Sequence, residues 1–199
     1  MKNFLHCATL KIMKKHIRGP LTGGISISRE LQMDDAQTDH AGSLWTKYQL
    51  HNESTVNLYN GLHEIIAGLG ERYQQGIVSL NSHAIISNTL RQEGLYNYFS
   101  AILGYEEVDF SKPKPDPDAL LKCIAYLNLI EKEGTIIYIG DHETDVHCVF
   151  NGNRALGKKK IVSIAALYEK KCTTESWKYQ PDYIAVNLND IPEIISGLV

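Results

Sequence analysis

TIIYIGDHETD, from Thr135 to Asp145, decides the fold class. Its first half is an unbroken β-branched and aromatic run with the length of a buried strand. Asp141 opens the polar segment at the strand's carboxyl end. Downstream, Asp145 to Phe150 reads as a short helix, KIVSIAAL from Lys160 as the next strand, and DIPEIISGL from Asp190 as a closing helix. Upstream, GLHEIIAGLGER places Leu62, Ile65, Ile66 and Leu69 on one helical face, and GIVSL (Gly76 to Leu80) is a short apolar strand. His83 to Glu93 is a helix with Gly94 as its C-cap, FSAILGY around Ile102 a further strand, and Ala119 to Leu127 a helix after a proline-rich segment. Strands alternating with helices predict βαβ crossovers and a mainly parallel sheet covered on both faces. The functional site of such a sheet lies beyond the carboxyl ends of its strands.

The region before Leu58 differs. Ser43 to Leu58 reads as a polar helix, GPLTGGISIS from Gly19 as loop, and FLHCATL (Phe4 to Leu10) as a weak strand. The expected division is an N-terminal segment at 1–57 and an α/β core at 58–199.

Composition narrows the function classes. With 199 residues the chain can bury one core, alone or with a small subdomain. A hydrophobic share of 43%, a charged share of 22% and a net charge of −3 are those of a globular protein without an electrostatic reason to bind nucleic acid or an anionic membrane. No apolar run is long enough to span a bilayer, and MKNFLHCATLKIMKK lacks a clean signal-peptide core, so a cytoplasmic protein is expected. Cys7, Cys123, Cys148 and Cys172 are scattered, which points to reduced, mostly buried thiols and away from structural zinc or disulfides. Oligomeric state is not readable.

Three segments carry chemistry. Ser79 stands at the end of the GIVSL strand, where a hydroxyl can donate to a phosphoryl oxygen beside the N–H groups opening the next helix; Asn81 follows in the same turn. The bland alternative is a helix cap. Lys114, in KPKPDPD (Lys112 to Asp118), is held by flanking prolines as a point charge suited to a phosphoryl group or crowded carboxylates. Alone, that segment is an ordinary charged loop. Asp141 and Asp145 can face one cleft and hold a hard cation such as Mg²⁺, or be merely an N-cap and a first-turn carboxylate.

In this order, a strand ending in serine, K-P-x-P-D, and strand–G-D-x-x-x-D resemble the second, third and fourth motifs of haloacid dehalogenase (HAD) superfamily phosphatases. LYNGLHEIIAGL, GLYNYFSAILGYEEV and QPDYIAVNLNDIPEII resemble flanking segments of the phosphoglycolate-phosphatase-like branch, over roughly the last two-thirds of the chain. The resemblance implies a Rossmann-like core with a helical cap-like region and Mg²⁺-dependent hydrolysis of a small phosphorylated metabolite. It also implies roles: Ser79 and Asn81 bind the phosphoryl oxygens, Lys114 stabilises charge, and Asp141 with Asp145 holds Mg²⁺.

The family's opening D-x-D-x-T is missing. Its first carboxylate attacks phosphorus and its second serves as general acid and base. Asp34 and Asp35 follow no apolar strand, and Asp116 and Asp118 belong to the lysine loop. FLHCATL has the outline of F-D-x-D-G-T-L with Leu5 and Cys7 in the carboxylate places and Thr9 and Leu10 kept. HIRGPLTGGISISREL through WTKYQLHNESTVNLYNG resembles the middle and end of the cap, which implies instead a shortened or degenerate N-terminus without the first strand. Two rivals to a phosphatase follow: a catalytically inactive relative that binds a phosphorylated ligand or partner, and a truncated or mis-started product.

Other signals are set aside. His142 and His147 are five residues apart, about 140° from alignment on a helix, so HETDVH is not a zincin motif. Lys158 to Lys160 reads as a solvated turn, and Asn52 to Ser54 as a formal glycosylation acceptor without consequence.

Overall fold

The computed structural model describes residues 5–8, 32–51, 58–109, 111–158, 160–168 and 173–198. The loop expected at 19–28, the acceptor at 52–54, and Thr9, Leu10 and Cys172 lie outside them.

Among the described residues six parallel strands form one sheet: β1 (Leu5–Ala8), β2 (Gln74–Val78), β3 (Phe99–Leu103), β4 (Ile136–Gly140), β5 (Ile161–Ala166) and β6 (Tyr183–Ala185), in the order β3-β2-β1-β4-β5-β6. The helices are α1 (Asp35–His51), α2 (Leu62–Gly70), α3 (His83–Gln92), α4 (Asp118–Tyr126), α5 (Glu143–Leu156) and α6 (Asp190–Gly197).

Every residue of β4 is buried, because both faces of the sheet are covered. On one face Ile136 and Tyr138 pack with Leu120, Cys123 and Ile124 of α4 and Cys148 and Val149 of α5. On the other, Ile137 and Ile139 meet Leu69 of α2 and Ile191 and Ile195 of α6, while Leu62, Ile66, Ile86 and Leu90 of α2 and α3 cover Ile77. Each such side chain contributes about 1.5–3 kcal/mol on full burial. Gly76 lets α4 approach β2 closely, since a Cβ there would stand 2.7 Å from Cys123 Sγ.

The sheet differs most from expectation at β1. The weak FLHCATL candidate supplies its central strand, paired with β2 on one side and β4 on the other. The division at residue 57 therefore does not separate the sheet from the N-terminal part. An apolar signal of four residues is too short to read without its neighbours.

Two helices are longer or earlier than expected. α1 begins at Asp35 instead of Ser43 because Asp34 and Gln37 exchange side-chain-to-backbone hydrogen bonds of 2.8 and 3.0 Å, a reciprocal cap. α5 runs past Phe150 to Leu156 despite Asn151, Gly152 and Asn153. Asn153 offsets its poor propensity by tying α5 to β5, donating to the Ile161 carbonyl and accepting from the Lys160 and Ile161 N–H groups.

Lys160 also departs from its solvated-turn reading. It is 8% exposed, and Nζ donates to the carbonyls of Leu129, Ile130 and Lys132 at 2.6–2.7 Å. Burial, then the neighbouring Lys158 charge, pushes its ammonium pKa down. Among the described residues no helix is long and apolar enough to cross a membrane.

Candidate active site

The parallel sheet presents one carboxyl rim, and the expected site residues follow its strands. Ser79 succeeds β2, its N–H donating to the Leu103 carbonyl at 2.9 Å. Asp141 succeeds β4. Since β2 and β4 flank β1, these positions stand two strand spacings apart, about 10 Å.

The lysine loop reaches the same rim. Lys114 precedes a cis peptide to Pro115, and the loop is held against α5 where Asn151 Nδ2 donates to the Pro115 carbonyl at 3.0 Å. Lys114 Nζ lies 2.8 Å from Asp145 Oδ1, with side chains only 9% and 6% exposed. Tyr138 Oη donates to the same Oδ1 at 3.2 Å, and the His142 N–H donates to Oδ2 at 3.2 Å. Lys114 Nζ also stands 5.4 Å from the Tyr138 ring centroid. The structure thus brings Lys114, Asp145 and Tyr138 into one satisfied network. Gly140 makes room for it: a Cβ there would lie 2.5 Å from Asp145 Cβ and Cγ.

The turn after β2 is more self-contained than the sequence suggests. Ser79 Oγ accepts from the Asn81 N–H at 3.1 Å, and the His83 and Ile85 N–H groups opening α3 are engaged as well. Ser82 Oγ accepts from the Ile85 N–H, and Glu106 accepts from the His83 N–H at 2.7 Å. What Ser79 keeps is the proton of its own hydroxyl, a donor for an anionic oxygen.

β1 brings no carboxylate to the rim. Leu5 pairs with Ile136 and Cys7 with Tyr138, five and three residues short of Asp141. At about 3.3 Å per residue, those positions lie roughly 17 and 10 Å below it. Neither occupies the level at which a nucleophile would meet a ligand beside Asp141.

Two tyrosines were not singled out in the sequence. Tyr138 is hidden in an apolar strand. Tyr168 lies just past β5 with its ring edge-on to Tyr59, centroids 5.1 Å apart. Burial first, then Tyr59 and the charges of Asp190 and Asp141, pushes the Tyr168 pKa well up. Cys148, whose Sγ lies 3.5 Å from the Asp116 carbonyl, is pushed up to about 12, chiefly by burial, and is an inert thiol. The histidines of HETDVH are structural: His142 Nδ1 accepts from the Thr144 N–H, and His147 stacks on Tyr179 at 3.7 Å.

Magnesium uses one or two carboxylates and completes its shell with water and ligand phosphate. Half-buried Asp141 fits that requirement. Asp145 has both oxygens engaged, and no group of three or more His, Cys, Asp or Glu side chains is gathered among the described residues. The donor set therefore suits a cation held by one carboxylate and completed by the ligand.

Known proteins agree with this architecture. Pyrophosphatase PpaX of Listeria monocytogenes is 25% identical over 178 residues, 88% of this chain and 77% of its own length. The HAD phosphatase of Thermococcus onnurineus superposes with a TM-score of 0.64 at 18% identity, covering 100% of both chains. The 2-haloacid dehalogenase of Pseudomonas syringae gives 0.67 at 16% identity, also over 100% of both. The sequence model of the haloacid dehalogenase-like hydrolases matches residues 11–153, and the chain belongs to that family.

Proposed function

We propose that the chain is a phosphatase-like hydrolase that takes a small phosphorylated metabolite at the carboxyl rim and acts on its phosphomonoester with Mg²⁺. The observation that carries this reading is the Lys114 ammonium, held at 2.8 Å by buried Asp145. A cation fixed in a nearly dry site is a strong anchor for a phosphoryl group. Ser79 donates its hydroxyl to a phosphoryl oxygen in the Asn81 turn. Asp141 holds the metal, which when bound neutralises phosphoryl charge. Asp145 acts by orienting Lys114, with Tyr138 behind it.

One observation favours a second reading, in which the rim binds a phosphorylated ligand without turning it over. The β1 sequence is Leu-His-Cys-Ala, and its register keeps Leu5 and Cys7 below the rim. The two readings are separated by assaying an aryl phosphate, 2-phosphoglycolate and pyrophosphate with Mg²⁺ and with EDTA. Orthophosphate binding is measured in parallel on the wild type, Asp141→Asn and Ser79→Ala. Mg²⁺-dependent release lost in Asp141→Asn supports hydrolysis. Phosphate binding weakened by Ser79→Ala, without release, supports the binding module. A folded chain that does neither overturns both.

A further inference from the structure

Tyr168 carries an unexplained cost. Its hydroxyl oxygen is buried and has no hydrogen-bond partner among the described residues. A buried polar group left in that state is destabilising, and native folds retain few of them. The ring itself is well held, edge-on to Tyr59 and packed against the cluster formed by Leu69, Ile137, Ile139 and Ile164.

Its place explains the cost. β4 and β5 are paired with Gly140 opposite Ala165. In that register Asp141 is level with Ala166, the last residue of β5, and Tyr168 follows two residues beyond the strand's end. The phenol keeps its proton at neutral pH and is available as a donor.

We infer that Tyr168 is a ligand-contact residue whose hydroxyl donates to a phosphoryl oxygen of the ligand bound beside Asp141. This rests on the proposed function and extends it: the β5 side of the rim, as well as Ser79 and Lys114, holds the anion. A hydroxyl unpartnered until the ligand arrives favours ligands that present an acceptor there and disfavours those that leave it bare.

The test is calorimetric titration of orthophosphate, with Mg²⁺ present, into the wild type, Tyr168→Phe and Tyr73→Phe. The Tyr73 hydroxyl already accepts from Arg72 at 3.0 Å, so its loss is the control. Tyr168→Phe removes only the unpartnered oxygen. It is expected to melt at the wild-type temperature or above, and to bind phosphate about tenfold more weakly, the worth of one hydrogen bond to a charged group. Tyr73→Phe is expected to bind as the wild type does. Unchanged affinity in Tyr168→Phe overturns the inference, as does a loss of affinity accompanied by a fall in melting temperature. A wild type that binds no phosphate brings down the proposed function and this inference together. A wild type that binds, with Tyr168→Phe equal to it, brings down this inference alone. A crystal structure of the phosphate complex reads the contact without a variant: Tyr168 Oη within about 3 Å of a phosphate oxygen supports it. An Oη bonded only to water or protein overturns it.

Discussion

Replacing Lys114 with methionine keeps the packed stem and deletes the charge that faces Asp145. The two side chains are 9% and 6% exposed, with 2.8 Å between Nζ and Oδ1, so this is a buried pair and not a surface one. Removing one partner of such a pair costs about 3–5 kcal/mol, because the other charge stays buried without compensation. The Tyr138 hydroxyl and the His142 N–H still bond Asp145, which places the expectation at the lower end, about 3 kcal/mol. For a domain of this size that corresponds to roughly 6–12 °C in melting temperature. The assay is urea unfolding of the wild type, Lys114→Met, Asp145→Asn and the double variant. Asparagine keeps the acceptor for Tyr138 and removes the orphaned charge, so Lys114→Met/Asp145→Asn is expected to be more stable than Lys114→Met alone by about 2 kcal/mol. A Lys114→Met cost below about 1 kcal/mol, the range of exposed pairs, would falsify the buried-network account. A double variant no more stable than the single one would do the same.

Three further outcomes follow from the packing. Gly140→Ala forces a Cβ to within 2.5 Å of Asp145 Cβ and Cγ, and is expected to lose about 2 kcal/mol in urea unfolding and to weaken phosphate binding. Wild-type affinity in the Gly140→Ala variant shows that the Lys114–Asp145 geometry does not matter to the ligand. Lys160→Met leaves three carbonyls without their donor and is expected to cost at least about 2 kcal/mol. Amide hydrogen exchange should then rise first around residues 128–134; uniform exchange across the domain contradicts this. Cys148 has an ordinary value of 9.0 and is raised to about 12 in the fold, so between those values the unfolded chain loses a proton that the folded chain keeps. Its contribution is complete below pH 9 and declines as pH rises toward 12, by up to about 1.4 kcal/mol per pH unit. Against Cys148→Ala, the wild type's stability advantage should therefore shrink from pH 8 to 10.5. Parallel curves refute the burial-driven shift.

What could be read without coordinates was local or ordered along the chain. β4 and its Asp141, the helices at 62–70, 83–92, 118–126 and 190–197, and the strands at 99–103 and 161–166 announced themselves by periodicity and by Gly and Pro punctuation. Ser79, Lys114 and Asp141 stood out because three weak signals occurred in one order, and a parallel sheet carries its strand ends to one rim. Pairing across the sheet was beyond such reading. β1 is four residues, and only its neighbours β2 and β4 make it the central strand. Its register, a property of three strands together, is what sets Leu5 and Cys7 below Asp141. Lys160 looked solvated because a charge run is usually exposed, and only the three carbonyls folded over it show otherwise. Asp145 is expected beside a metal because spacing along a helix reports proximity to Asp141. It cannot report that a lysine 31 residues earlier in the chain reaches Oδ1 first. Residue order along the chain determined the family and nominated the candidate residues of the site. Tertiary structure alone decided that Lys114 and Tyr138 both bond to Asp145, because hydrogen bonds and buried charges are satisfied in space, between residues remote in sequence.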